Sequence, residues 1–197
     1  MPETLLFKEE LAERLVDRVV RILSDGGVIL YPTDTVYGLG CDILSEGGVE
    51  KIFSLKCRDR GAPLSIAVSD LSMLRECALM DEDAEKKVKE RMPGPYTFIL
   101  KKRGCVPDFV TSGYDTVGIR IPDHAPLLEL ISKYGKPIIT TSANRSGEPA
   151  PSDIGEVSRE IKEGMDLILD GGRCREGKPS TIIDLSSGKD GLIKTRR

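Results

Sequence analysis

The sequence predicts an α/β protein with a mixed sheet flanked by helices. Three observations carry this reading. Short apolar runs of strand length alternate with apolar stripes at helical spacing along the chain. The connections from 97–100 to 117–121 and from 181–185 to 191–194 leave no room for crossover helices, so some neighbouring strands must be antiparallel. Polar residues gather directly after two apolar runs, where an open α/β sheet holds its ligands.

The elements follow in order. Leu11, Leu15, Val19, Ile22 and Leu23 recur at helical spacing, and Gly26-Gly27 stop that helix. Val28-Ile29-Leu30-Tyr31 is a buried strand. Val49, Ile52, Phe53 and Lys56 share a helical stripe that ends by delivering Lys56 and Arg58 towards the core side. A strand at 64–68 follows, then helices near 70–78, capped by Ser69 or Asp70, and 82–92, before Pro93-Gly94-Pro95. Strands are predicted at 97–100, 117–121, 137–141, 166–169, 181–185 and 191–194. Leu127, Leu128 and Ile131 mark a helix between the second and third of these. Asp153 and Glu156 form a capping-box pattern for a helix reaching about Lys162.

Composition narrows the function classes. At 197 residues the chain is expected to be a single domain, 1–197, with a core that needs no staples. Its 29 basic and 32 acidic residues leave a net charge of −3, so no global charge advertises a nucleic-acid partner. Local basic runs remain at Arg173, Arg175 and Lys178, and at Lys194, Arg196 and Arg197. Cys41, Cys57, Cys77, Cys105 and Cys174 are scattered and contain no Cys-x-x-Cys, which argues against a disulfide framework and a zinc cluster. No apolar run approaches the roughly 18 residues of a membrane span. The acidic start, Met1-Pro2-Glu3-Thr4, lacks a signal-peptide pattern. The expectation is a soluble, cytoplasmic protein with no membrane contact.

The most informative stretch is Pro32-Thr33-Asp34-Thr35-Val36-Tyr37-Gly38-Leu39-Gly40. Two hydroxyls, a carboxylate and a phenol crowd behind a strand that proline has just ended. A turn requires none of those side chains. With glycines that allow close backbone approach, they suit a small-ligand pocket. In Thr116-Val117-Gly118-Ile119-Arg120-Ile121, alternation puts Val117, Ile119 and Ile121 in a core and Thr116, Gly118 and Arg120 on the other face. Thr116 and Arg120 then stand roughly 13 Å apart across open floor at Gly118. An arginine on a sheet face requires an anion, either a visiting ligand or a resident acid such as Asp34. Lys56 and Arg58 flank one residue, an ammonium beside a forked guanidinium that suits phosphate oxygens, although many such pairs are solvated surface. Ser142-Ala143-Asn144 repeats the strand-then-hydroxyl arrangement of Thr33 and Thr35.

Two familiar chemistries are missing. His124 is the one histidine and stands at a helix start, where a cap or surface role fits it best; no Gly-x-Ser-x-Gly elbow accompanies it. Gly172 to Ser180 approaches a Walker A loop, but Pro179 takes the magnesium-holding position and a strand follows where a helix should. The chemistry is therefore expected to run without a tuned imidazole or a protein-bound transition metal.

The nonamer resembles the signature of the YrdC family, the threonylcarbamoyl-adenylate synthases. Further blocks match in the same order: Lys56-Cys57-Arg58, Pro93-Gly94-Pro95-Tyr96-Thr97, 116–122, 140–147, and Ser180-Thr181-Ile182-Ile183-Asp184. The resemblance implies a twisted open YrdC/RibB-like mixed sheet with a concave ligand-binding face, in the single-domain form. It implies condensation of L-threonine, bicarbonate and ATP to threonylcarbamoyl-adenylate and pyrophosphate, for N6-threonylcarbamoyladenosine in tRNA. Implied threonine-binding residues are Thr35, Arg120, Thr140 and Ser180. Implied ATP-binding residues are Lys56, Arg58, Thr116, Ser142 and Asn144, with Lys194 and Arg196 competing for a further place. Lys56 and Arg58 would be the catalytic charges, and Mg2+ would arrive with ATP. Downstream partners would be tRNA and the threonylcarbamoyl-transfer machinery. Longer members carry an asparagine and a histidine nearest Ala62 and Ala67. The alternative is a non-catalytic module that binds tRNA or double-stranded RNA through its basic runs, and another enzyme on a similar sheet also competes.

Overall fold

The computed structural model describes residues 2–7, 11–187 and 191–193. Lys194 and Arg196 lie outside the described residues. The strands are β1 (Thr4–Leu6), β2 (Ile29–Tyr31), β3 (Gly38–Gly40), β4 (Ser65–Ala67), β5 (Ala78–Leu79), β6 (Tyr96–Lys102), β7 (Thr116–Arg120), β8 (Ile138–Ser142), β9 (Leu167–Asp170), β10 (Thr181–Asp184) and β11 (Gly191–Ile193). The helices are α1 (Glu13–Ser24), α2 (Glu46–Leu55), α3 (Leu71–Cys77), α4 (Glu82–Arg91), α5 (Asp108–Thr111), α6 (Ala125–Tyr134) and α7 (Arg159–Glu163).

The strands join in the order β1-β9-β2-β3-β8-β4-β7-β6-β10-β11, with β5 added to β6. Parallel and antiparallel pairs mix: β4 runs parallel to β7, while β6 and β7 are antiparallel, as are β10 and β11. The two short connections have the consequence the sequence implies. Apolar clusters cover the sheet from both sides. One gathers Leu39, Ile52, Phe98, Ile119 and their neighbours; the other packs α1 and α6 against Ile29, Tyr31 and Ile138.

Helix ends are determined by local chemistry. After α1, Gly26 takes φ +81°. Its N–H donates to Leu23 O at 3.0 Å, and the Gly27 N–H to Ile22 O at 2.8 Å, a Schellman stop. Asp70, rather than Ser69, caps α3 by accepting from the Met73 N–H. His124 caps α6, its Nδ1 accepting from the Leu127 N–H at 3.3 Å, and its ring stacks on Phe7. The structure departs from one expectation: no single helix spans 153–162. Asp153 caps a 3-10 turn, Ile154–Glu156, and Ser158 starts the separate helix α7. The Glu156 carboxylate accepts from the Ser152 N–H and hydroxyl, so it does not close the expected box on Asp153. The short elements β1, β3, β5 and α5 were not foreseen. β3 forms a hairpin with β2, so the ligand loop of the nonamer is the hairpin's turn. Among the described residues, no helix is long and apolar enough to cross a membrane.

Candidate active site

The middle of the sheet forms the floor of a cleft of about 960 Å³. Register aligns Thr140, Ser65, Gly118 and Ile99 in a row across β8, β4, β7 and β6, all lining that floor. Loops 32–37, 56–63, 144–150 and 176–180 wall it. The ligand space therefore lies on the sheet's face as well as at its strand ends. Within β7, Val117 and Ile119 are buried in the core while Thr116, Gly118 and Arg120 face the cleft, as alternation requires. Gly118 keeps the floor low, because a Cβ there would stand 2.5 Å from Ser65 Oγ.

Lys56 arrives through the last turn of α2. Cys57 takes φ +47°, and the N–H groups of Cys57 and Arg58 donate to Ser54 O and Phe53 O, a second Schellman turn with cysteine in the left-handed place. Lys56 is 2% exposed, and its ammonium donates to Ser142 O and, at 2.7 Å, to Asn144 O. Burial, seconded by Arg58, pulls its pKa down to about 7. The Arg58 Nε and Nη2 donate to Ala62 O and Pro63 O, so its guanidinium braces the 59–63 turn.

Arg120 has a resident acid. Its Nη2 donates to Asp34 Oδ1 at 2.5 Å and its Nη1 to Thr35 Oγ1 at 2.9 Å. The Asp34 side chain is fully enclosed, and its Oδ2 and Arg120 Nε are buried without a partner. Burial lowers the Arg120 pKa and Asp34 opposes that shift. Thus the internal partner the sequence offered is present, and Arg120 also lines the cleft. Thr33 organises this corner by accepting from the Thr35 and Val36 N–H groups and donating to Val36 O. The Tyr37 hydroxyl turns away to Asp170 and Gly172 O, clamping a neighbouring loop.

Thr35, Lys56, Arg58, Thr116, Arg120, Thr140, Ser142, Asn144 and Ser180 all line this one cleft. The Ser180 hydroxyl shares a hydrogen bond with Thr97 at 2.8 Å. Asn144 Nδ2 donates to Arg145 O and Glu148 O, leaving its buried Oδ1 unpartnered. Ala62 lines the cleft, whereas Ala67 is buried with Tyr31 and Leu127 in the opposite cluster. Sequence reasoning missed Ser65, Thr97, Ile99, Glu148, Glu176 and Lys178. The period-two reading of 116–121, applied to 96–100, would have found Thr97 and Ile99; the loop residues carry no periodic signal.

Comparisons with known proteins agree with this fold. The Sua5/YciO/YrdC family model, described as telomere recombination, matches residues 21–195. The threonylcarbamoyl-AMP synthase of Pyrococcus abyssi is 37% identical over 187 residues, covering 92% of this chain and 55% of its own. The chain thus spans just over half the length of that relative. The structure of P. abyssi Sua5 complexed with L-threonine superposes with a TM-score of 0.87 at 37% identity, covering 92% of this chain and 54% of that one. Escherichia coli YciO superposes with a TM-score of 0.91 at 31% identity, covering 99% of this chain and 96% of its own.

Proposed function

The chain belongs to the Sua5/YciO/YrdC family, and from that premise we propose that it is an L-threonylcarbamoyl-adenylate synthase. The reading rests chiefly on the convergence of Lys56, Arg58, Arg120 and the predicted hydroxyls in one cleft. In it, the Arg120 guanidinium, oriented by Asp34 and Thr35, offers its remaining N–H groups to the threonine carboxylate. Thr140 and Ser180 contact the rest of the amino acid. Lys56 and Arg58 neutralise the triphosphate, with Thr116, Ser142 and Asn144 along the nucleotide. Magnesium enters as the ion of MgATP, held chiefly by phosphate oxygens.

The threonine amine takes up carbon dioxide derived from bicarbonate, losing a proton and forming a carbamate. A carbamate oxygen attacks the α-phosphorus in line, and the bond to pyrophosphate breaks. Alignment and charge stabilisation supply the rate, a role suited to buried cations and fixed hydroxyls. Calorimetric titration tests the amino-acid half. The chain is expected to bind L-threonine, and Arg120→Lys to lose that binding while keeping ATP. Absence of threonine binding by the unmodified chain, with MgATP and bicarbonate present, would overturn the reading.

One observation favours a second reading. The likeness to YciO, a protein named as uncharacterised, extends over nearly the full length of both chains. The same cleft would then serve another substrate and ignore threonine. Two of the basic residues the RNA-binding reading relies on have acidic partners within the chain: Arg173 with Glu156, and Arg175 with Asp123 and Glu176.

A further inference from the structure

Five scattered cysteines gave no reason to expect a pair, yet the fold brings two together away from the cleft. Cys77 ends α3 and is 1% exposed. Cys105 lies in the turn after β6 and is exposed. The segments carrying them are tied by backbone: β5 and β6 pair Ala78 with Lys102, and the Arg103 N–H donates to Cys77 O at 2.8 Å. The Val106 N–H donates to Arg103 O at 3.1 Å, which folds the turn back over the end of α3. The Cys105 thiol then donates to Glu76 O at 3.1 Å, beside Cys77, and the two cysteines interact.

We propose that Cys77 and Cys105 are a reversible oxidation site, closed to an intrachain disulfide by a low-molecular-weight disulfide such as oxidised glutathione. The exposed Cys105, as thiolate, attacks one glutathione sulfur; a mixed disulfide forms and a glutathione thiolate leaves. Cys77 then gives up its proton and attacks the Cys105 sulfur, expelling the second glutathione thiolate. The two protein thiols lose two electrons and two protons, and oxidised glutathione becomes two molecules of reduced glutathione. Burial, with Cys105 contributing, pushes the Cys77 thiol up to about 12, so Cys77 is the resolving group and its step is the slower one. Cys41 and Cys174 are buried, and Cys57, though exposed, lies just past the end of α2.

The test incubates the folded chain with oxidised glutathione, quenches with acid, and alkylates after denaturation. The expected product has lost two hydrogens in intact mass, yields a cross-linked peptide joining Cys77 to Cys105, and melts at a higher temperature until reductant is added. Cys105→Ser should abolish the bridge, and Cys77→Ser should stop the reaction at the mixed disulfide. A glutathione adduct that persists on Cys105 beside alkylatable Cys77, an unreacted pair, or a bridge to Cys57 would each overturn the proposal. Neither thiol lies in the cleft, so the outcome is independent of the assigned substrate.

Discussion

At the scale of single residues, two buried cations line the cleft, and their environments differ. Lys56 rests on backbone carbonyls with a pKa lowered to about 7. The sign of its pH effect follows. Because the folded value lies below the ordinary lysine value, the unfolded chain holds more protons between them, and stability rises as pH climbs from about 7. In the proposed reaction the triphosphate is held by the charged form, so ATP affinity should fall by up to about tenfold per pH unit above 7. Titrations at pH 7 and 9 check this, and Lys56→Met should flatten the dependence. Arg120 is balanced by Asp34. Removing the arginine alone leaves an enclosed carboxylate uncompensated, so Arg120→Ala should cost about 3–5 kcal/mol of stability as well as threonine binding. Asp34→Asn combined with Arg120→Met should recover much of that loss in denaturant melts. The sequence made Asp34 visible as a candidate partner but carried no sign of whether it faced the ligand or the arginine. That depends on the turn held by Thr33.

Among elements, the end of α2 is the most exposed to test. Cys57 occupies a left-handed position, φ +47°, that glycine tolerates better, and its side chain is exposed. Cys57→Gly should therefore stabilise the fold by about 1 kcal/mol in equilibrium unfolding while leaving Lys56 in place. Strand β7 predicts the opposite kind of result. Gly118→Val would put branched methyl groups into the cleft floor against Ser65 Oγ, and ligand binding should fall sharply with the strand otherwise intact. The strand and helix pattern was legible wherever periodicity ran for several residues, as in α1, β6 and β7. It failed at 153–162, where Asp153 and Glu156 fit a helix start but Glu156 bonds to Ser152 and Arg173 instead. Spacing alone cannot register that tertiary competition. The missed strands β1, β3 and β5, of two or three residues, and the four-residue α5 carry too short a pattern to read.

For the whole molecule, the sheet's mixed order was legible from connection length, and the ordered blocks of polar residues foretold one cleft. The loops at 144–150 and 176–180 and the meeting of Cys77 with Cys105 were not legible, because each depends on segments distant in sequence. The central claim is that this cleft joins an amino acid to a nucleotide through two anion-binding ends. Pyrophosphate release from MgATP by the purified chain tests it most directly, with threonine and bicarbonate added or withheld. Release that needs both additions and disappears in Lys56→Ala or Arg58→Ala is the predicted result. Release indifferent to threonine, or undiminished in those variants, would contradict it.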